Sequence, residues 1–256
     1  MPAPDFTDVR VVFFDLDDTL CAYWDASKAA LRTAFESFPV AGNTTDEMRR
    51  HWAAAFRNFG SDLKATGWYD TYLLIGEPTR TEQMRLTLER VGINDPDHAA
   101  ALSEAYMTHR DRNLRLFDDA LHVITTLKNK FGLGMITNGP ADIQRQEVNT
   151  LGLAPYFDHI FIEGEMGMGK PKKEVFDRAR AAFGAEPQEC LMVGNSFGHD
   201  ITPAIEYGWH TAWIRRPSDV PPSATDEGTV EEAPVGAPEP CIVIRELSEL
   251  LPLLSR

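Results

Sequence analysis

The stretch Val11-Val12-Phe13-Phe14-Asp15-Leu16-Asp17-Asp18-Thr19 constrains this chain more than any other. Four apolar β-formers in succession, without polar alternation, suit a strand buried on both faces of a parallel sheet. The run stops at Asp15, and Asp17 and Asp18 follow at once. Packing gives no reason for three carboxylates there, because they repel each other and lose hydration at the end of a buried strand. A cation among them makes the cluster tolerable. In an open α/β sheet the carboxyl end of a strand is also where ligands bind. The competing reading of these residues alone is an Asp-rich, solvated turn.

At 256 residues the chain allows one large domain or two small ones. A hydrophobic content of 43% with 25% charged residues is ordinary for a soluble globular protein. No apolar run approaches the length of a membrane span, so no membrane partner is expected. The opening MPAPDFTDVR matches neither a signal peptide nor a transit sequence, and a cytoplasmic location is expected. Cys21, Cys190 and Cys241 are too few and too scattered for a disulfide framework or a zinc site. Cys21 reads as a small hydrophobe. The formal charge of −14 argues against a nucleic-acid partner, which requires a positive surface. An anionic substrate would need local positive charge.

After a strand at 11–15, the next convincing sheet strand is GLGMIT at 132–137. About 120 residues separate them, whereas a βαβ crossover takes about 30. A unit the size of a small domain therefore interrupts the first crossover. It reads as four to five helices. Residues 25–38 set Leu31, Phe35 and Phe38 on one face, with Asp25 as a candidate N-cap. Residues 44–59 set Met48, Trp52 and Phe56 four apart, with Thr44 or Thr45 as the cap. Residues 82–92 end in a glycine, and residues 95–112 carry an early proline. WYDTY at 68–72 lacks periodicity and reads as a loop. Tyr23, Trp24, Trp52, Trp68, Tyr69 and Tyr72 are candidates to line a pocket, against the ordinary alternative of core packing. Arg49, Arg50 and Arg57 read as a solvated face.

The alternation resumes with a helix at 118–132 carrying Leu121, Ile124 and Leu127 on one stripe. Helices at 141–151, 171–184 and 200–207 follow, with strands at 159–164, 190–194 and 210–214. Pro171 is expected at the first helical position. Residues 217–240 hold six prolines and six acids and read as a loop or flexible excursion. A short strand and helix close the chain. Alternating β and α units give an α/β, doubly wound, Rossmann-like parallel sheet.

Four stretches together carry a resemblance. DLDDT at 15–19, MITNG at 135–139, GKP at 169–171 and VGNSFGHD at 193–200 resemble, in order, the four motifs of the haloacid dehalogenase-like (HAD) hydrolase superfamily. Most members of that superfamily are phosphatases. The resemblance spans residues 11–215 and implies a helical cap of the C1 type at 22–115. Residues 1–21 and 116–256 then form the catalytic core.

The resemblance implies that Asp15 is a nucleophile forming an aspartyl-phosphate. It implies that Asp17 is the general acid and base, its backbone carbonyl a ligand for Mg²⁺. Asp18 alternates away and is expected to be solvated or to cap a helix. The Thr137 hydroxyl and the N–H groups of Asn138 and Gly139 suit phosphoryl oxygens. Lys170, beside Pro171, matches the motif lysine that neutralises nucleophile and phosphate; Lys172 and Lys173 are its competitors. The fourth motif departs from the usual form, since Asn195 replaces its first acid. An amide oxygen still suits Mg²⁺. Asp200 is expected as a ligand or as the partner of Lys170, and Ser196 as a hydrogen-bonding residue of the loop. Nothing near His199 fits a His-based nucleophile.

The expected activity is Mg²⁺-dependent hydrolysis of a small phosphorylated metabolite. A hydrolytic 2-haloacid dehalogenase and a phosphomutase are the rivals within the superfamily. A non-catalytic binder of phosphometabolites or proteins is the rival outside catalysis. Asp17 argues against the dehalogenase, which has no leaving alkoxide to protonate.

Overall fold

The computed structural model describes residues 5–57, 59–222 and 230–255. Residues 223–229, within the proline-rich stretch, lie outside the described residues. Six strands form one sheet in the order β3-β2-β1-β4-β5-β6, every pair parallel. They are β1 (Val11–Phe14), β2 (Gly132–Thr137), β3 (His159–Ile162), β4 (Cys190–Gly194), β5 (His210–Ile214) and β6 (Ile242–Ile244). All four residues of β1 are buried, as its unbroken apolar run requires. Val12 and Phe14 face one layer of core with Leu133, Met135, Leu191 and Val193. Val11 and Phe13 face the other with Ile136, Phe176, Met192 and Trp209. Fully burying a Phe is worth about 1.5–3 kcal/mol, and Phe13 and Phe14 are both inaccessible to solvent.

Among the described residues, six helices fill the stretch from 22 to 115 between β1 and β2, one more than the periodicity suggested. They are α1 (Tyr23–Ser37), α2 (Thr45–Phe56), α3 (Phe59–Thr66), α4 (Tyr69–Leu74), α5 (Glu77–Glu89) and α6 (Pro96–Asn113). Leu31, Phe35, Met48, Trp52, Met84, Leu88, Leu102 and Tyr106 form an apolar cluster separate from those of the sheet. Thr44 caps α2 in a reciprocal capping box with Glu47. The cap of α1 is not Asp25, which lies inside the first turn. Instead the Asp18 carboxylate accepts from the Trp24 N–H at 3.0 Å, so α1 starts two residues earlier. The WYDTY stretch is not a loop, because Leu73 is buried and draws Tyr69–Leu74 into a short helix. Phe38, beyond the end of α1, is 39% exposed and leaves the expected stripe.

The remaining helices are α7 (Ala120–Lys128), α8 (Ala141–Thr150), α9 (Glu163–Met166), α10 (Lys173–Ala182), α11 (Thr202–Glu206) and α12 (Leu250–Leu253). Helices α7 and α12 cover one face of the sheet, α10 and α11 the other. On α7 the buried stripe is Ala120, Val123, Ile124 and Leu127, and Leu121 points to solvent. β3 ends at Ile162, two residues before Gly164, because α9 begins at Glu163. Pro171 is not the first residue of α10, because the Lys172 N–H first closes a turn onto the Gly169 carbonyl. A π turn, Phe197–Ile201, leads into α11. Among the described residues, no helix is long and apolar enough to cross a membrane.

The glycines of β2 make room for aromatic side chains of the layer beneath. A Cβ on Gly134 would sit 2.4 Å from the Phe13 ring, and overpacking a filled core typically costs 1–3 kcal/mol. Gly134→Ala is therefore expected to lower unfolding free energy by about 1–3 kcal/mol, read from urea denaturation curves with an unchanged slope.

Candidate active site

Parallel pairing brings the carboxyl ends of β1, β2 and β4 side by side, with Phe14 opposite both Met135 and Val193. The four sequence motifs meet there. Asp15 follows β1 directly, and its N–H is held by the Val193 carbonyl at 2.9 Å. The Asp15 carboxylate accepts from Lys170 Nζ at 2.7 Å and from Thr19 Oγ1 at 3.1 Å. Lys170 Nζ also pairs with Asp200 Oδ1 at 2.6 Å. Burial works to depress the Lys170 ammonium, yet Asp15 and Asp200 together hold its pKa above the usual lysine range. Burial pushes Asp200 up to about 7 despite Lys170. Its second oxygen accepts from the Ser196 N–H at 3.0 Å. Both Asp200 oxygens are thus engaged within the protein. Lys172 is exposed, and Lys173 pairs with Asp177 on α10.

Asp17 sits two residues past Asp15, where burial and the Asp15 charge raise its pKa to about 6. Asp18 adopts a left-handed backbone conformation, φ 57°, which Asp tolerates better than most residues. It is 2% exposed rather than solvated, and burial pushes it up to about 9. The expected capping role is the one it fills.

Gln144 of α8 ties Asp17 into a buried chain. Its Nε2 donates at 3.1 Å to both Asp17 Oδ2 and Glu147 Oε2. Its Oε1 accepts from the Thr137 hydroxyl at 2.5 Å. Glu147 pairs with Arg110 of α6 at 3.1 Å, both side chains almost fully buried. The Thr137 hydroxyl therefore has a protein partner. The Gly139 N–H donates to Glu163 at 2.9 Å, and Tyr69 donates to the same carboxylate from α4. A side chain at Gly139 would crowd Gln144, and its φ of 134° suits glycine alone. The Asn138 side chain clasps the Lys170 backbone, accepting from its N–H and donating to its carbonyl, each at 2.8 Å.

Asn195 follows β4 directly and lies beside Asp15. Its Oδ1 and Asp15 Oδ2 both accept from the Thr19 hydroxyl, at 3.3 and 3.1 Å. Its Nδ2 donates to Asp219 at 2.9 Å. Asp219 is 6% exposed, and burial raises it to about 6 with Asp15 adding to the shift. Ser196 caps the π turn through the His199 N–H, and the His199 ring faces the Ser196 hydroxyl rather than the carboxylates. Cys21 is buried, and burial raises its thiol well above its ordinary pKa, as suits a packing residue.

The donor set fits Mg²⁺. Asp15, Asp17 and Asp219 offer hard carboxylate oxygens and Asn195 an amide oxygen, and the Asp15 and Asn195 oxygens lie side by side on the Thr19 hydroxyl. Their burial and mutual repulsion leave negative potential that a divalent cation relieves.

Gln144, Glu147, Arg110, Glu163 and Asp219 escaped the sequence reading. Gln144 and Glu147 lie three apart on the face of α8 that also buries Ile143 and Val148. Polar residues at apolar-stripe spacing were the available signal. Asp219 sits in a proline-rich stretch with no periodicity to mark it. Trp24, Trp52, Tyr69 and Tyr72 do line the cavity above Asp15, as does Tyr23, while Trp68 does not and is 42% exposed.

The family model for haloacid dehalogenase-like hydrolases matches residues 9–208, and a related HAD-hydrolase-like model matches 167–250. The chain is 30% identical over 226 residues to a phosphoserine phosphatase of Thermus thermophilus, spanning 81% of this chain and 89% of that one. It is 28% identical to a glyceraldehyde 3-phosphate phosphatase of Methanopyrus kandleri, spanning 94% and 99%. Among solved structures, the HAD-hydrolase YfnB of Bacillus subtilis, bound to magnesium, superimposes with a TM-score of 0.73 at 23% identity, covering 97% of this chain and 99% of that one. With its motifs gathered at the ends of β1, β2 and β4, this chain belongs to the haloacid dehalogenase-like hydrolases.

Proposed function

We propose that the protein is a Mg²⁺-dependent phosphatase of a small phosphorylated metabolite, acting through an aspartyl-phosphate. Residues 1–21 and 116–256 are its catalytic core and residues 22–115 its cap. The observation that carries this reading is the pair Asp15 and Asp17, one carboxylate bonded to the Lys170 ammonium at 2.7 Å and the other raised by burial to a pKa of about 6. Asp15 attacks phosphorus while Lys170 offsets the charge of nucleophile and phosphate. Asp17, held by Gln144, gives its proton to the leaving alkoxide. The same carboxylate then takes a proton from the water that attacks the aspartyl-phosphate. Thr137 and the Asn138 and Gly139 amides serve the phosphoryl oxygens, the Thr137 hydroxyl turning from Gln144 and Glu163 withdrawing from Gly139 when phosphate arrives. Asn138 fixes the Lys170 backbone, and Asp200 positions Lys170 from the far side.

Asp15, the Asp17 carbonyl and Asn195 would hold Mg²⁺. Asp219 fixes the Asn195 amide and restores the charge that Asn195 lacks, and Asp200 serves the site through Lys170. When bound, Mg²⁺ would offset phosphate charge as a Lewis acid.

Asp15→Asn is expected to abolish release of p-nitrophenol from p-nitrophenyl phosphate while leaving the melting temperature near that of wild type. Wild-type turnover by this variant overturns the nucleophile assignment. Wild-type protein is expected to hydrolyse p-nitrophenyl phosphate only with Mg²⁺ and to release no halide from 2-chloropropionate. Halide release that survives EDTA favours the dehalogenase instead. Asp219→Asn is expected to weaken Mg²⁺ binding by roughly tenfold, about 1.4 kcal/mol, in calorimetric titrations. Unchanged affinity overturns the role given to Asp219.

A further inference from the structure

The cavity above Asp15 encloses about 560 Å³, within the range that holds a small organic ligand. Its core side is acidic, with Asp15, Asp17, Asp18, Glu163 and Asp200 in the lining. Its helical side has the opposite sign. Among the described residues, the segment 22–115 contributes Lys64, Arg80 and Arg110 to the lining and no carboxylate. That is notable in a chain of net charge −14.

The three cations are not equivalent. Arg110 is paired with Glu147 and Asp111, at 3.1 and 2.8 Å. Lys64 is exposed and lies over the Tyr69 ring, 5.1 Å from its centre. Arg80, on α5, is half-buried and pairs with no carboxylate among the described residues, and its Nε is buried without a hydrogen-bond partner. Burial and the neighbouring charge of Arg110 both lower its pKa, but a guanidinium keeps its proton in proteins.

The place of Arg80 is built. A Cβ on Gly76 would meet Arg80 Nη1 at 2.7 Å and Ile143 Cγ1 at 2.8 Å, so the bare backbone of Gly76 makes room for the guanidinium. Gly76 is itself pinned to the core, donating its N–H to Asp142 at 3.0 Å. Three residues along α5, on the same helical face, Gln83 donates Nε2 to the Trp52 carbonyl at 3.2 Å. That leaves Gln83 Oε1 buried without a partner, and Trp52 Nε1 is likewise unpartnered. Gln83 and Trp52 line the same cavity. Buried polar groups left unpaired cost about 1–3 kcal/mol each, so such a group calls for a partner. Water can serve an amide oxygen or an indole N–H, but it cannot neutralise a guanidinium.

We propose that Arg80, with Gln83 and Trp52 beside it, binds a carboxylate at the end of the substrate remote from the phosphate. The substrates are then small phosphorylated carboxylic acids. This deepens the phosphatase reading and rests on it for the phosphate end. A planar guanidinium matches a carboxylate in a bidentate fork. Arg80, the half-buried unpaired cation, balances one negative charge, whereas a second phosphate would remain half-neutralised above an acidic floor. The indole N–H of Trp52 and the amide oxygen of Gln83 serve, respectively, a carboxylate oxygen and a hydroxyl or ammonium next to it.

The test uses non-hydrolysable phosphonates titrated calorimetrically into the full-length protein with saturating Mg²⁺. Wild type is expected to bind 3-phosphonopropionate at least tenfold more tightly than propylphosphonate. In Arg80→Gln that ratio is expected to fall below twofold, the circular dichroism spectrum being unchanged. Equal affinity of wild type for the two compounds overturns the proposal, and this arm needs no variant. A carboxylate preference that survives in Arg80→Gln overturns it too. Hydrolysis of p-nitrophenyl phosphate by wild type is scored separately. Its failure counts against the phosphatase, while the phosphonate ratio still judges Arg80. If neither phosphonate binds, both readings fall.

Discussion

Carboxylate repulsion at the end of β1 is the constraint around which this molecule is arranged. Asp15, Asp17, Asp18, Asp200 and Asp219 gather in a space that excludes much of the water they would need. A single ammonium, that of Lys170, touches two of them at 2.7 and 2.6 Å. The backbone of Lys170 is in turn held by Asn138 from the neighbouring strand end. Removing one partner of such a buried pair typically costs 3–5 kcal/mol, because the charge left behind is uncompensated. The loops carrying these groups are therefore fixed by electrostatics as much as by packing. Burial, more than mutual repulsion, leaves Asp17 and Asp219 with pKa values of about 6 and Asp18 of about 9.

The parallel register turns that constraint into a site. Every strand enters the sheet from the same side, so each delivers its following loop to the same edge. β1 brings Asp15, β2 brings Thr137 to Gly139, and β4 brings Asn195 and Asp200. β3 is succeeded by Glu163, and the loop beyond β5 returns Asp219. A buried chain of hydrogen bonds, from Thr137 through Gln144 to Asp17 and Glu147, then joins this edge to Arg110 in the helical insertion. Asp17 is thus linked by protein groups alone to the element that roofs the cavity.

Much of this was legible in the residues. An apolar run ending in acids marked β1, and the strands at β2, β4 and β5 followed from unbroken β-forming runs bounded by glycine. The gap between β1 and β2 exposed the insertion, because no simple crossover spends so many residues. Legibility failed where tertiary partners decide local structure. Asp25 looked like the cap of α1, but the capping carboxylate is Asp18, for which the sequence left both a solvated and a capping role open. Tyr69–Leu74 has too short a period to announce a helix, and Leu121 fitted a stripe that the sheet rotated by one residue. Asp219 carried no local sign at all, since its partner Asn195 is 24 residues away. A solitary carboxylate among prolines looks the same whether it faces water or an amide.

The two chain crossings into the helical insertion lie against each other. The Ala22 N–H donates to the Arg115 carbonyl at 2.9 Å, and the Phe117 N–H to the Leu20 carbonyl at 3.0 Å. To the sheet, everything between is one closed loop whose ends are already stapled. Closing a flexible loop of that length costs about 4 kcal/mol, and doubling it would add only about 0.6. The core is thus nearly indifferent to how many residues hang from this doorway. A lineage can lengthen, shorten or exchange the roof, and so change what the cavity admits, without disturbing the carboxylates gathered below it.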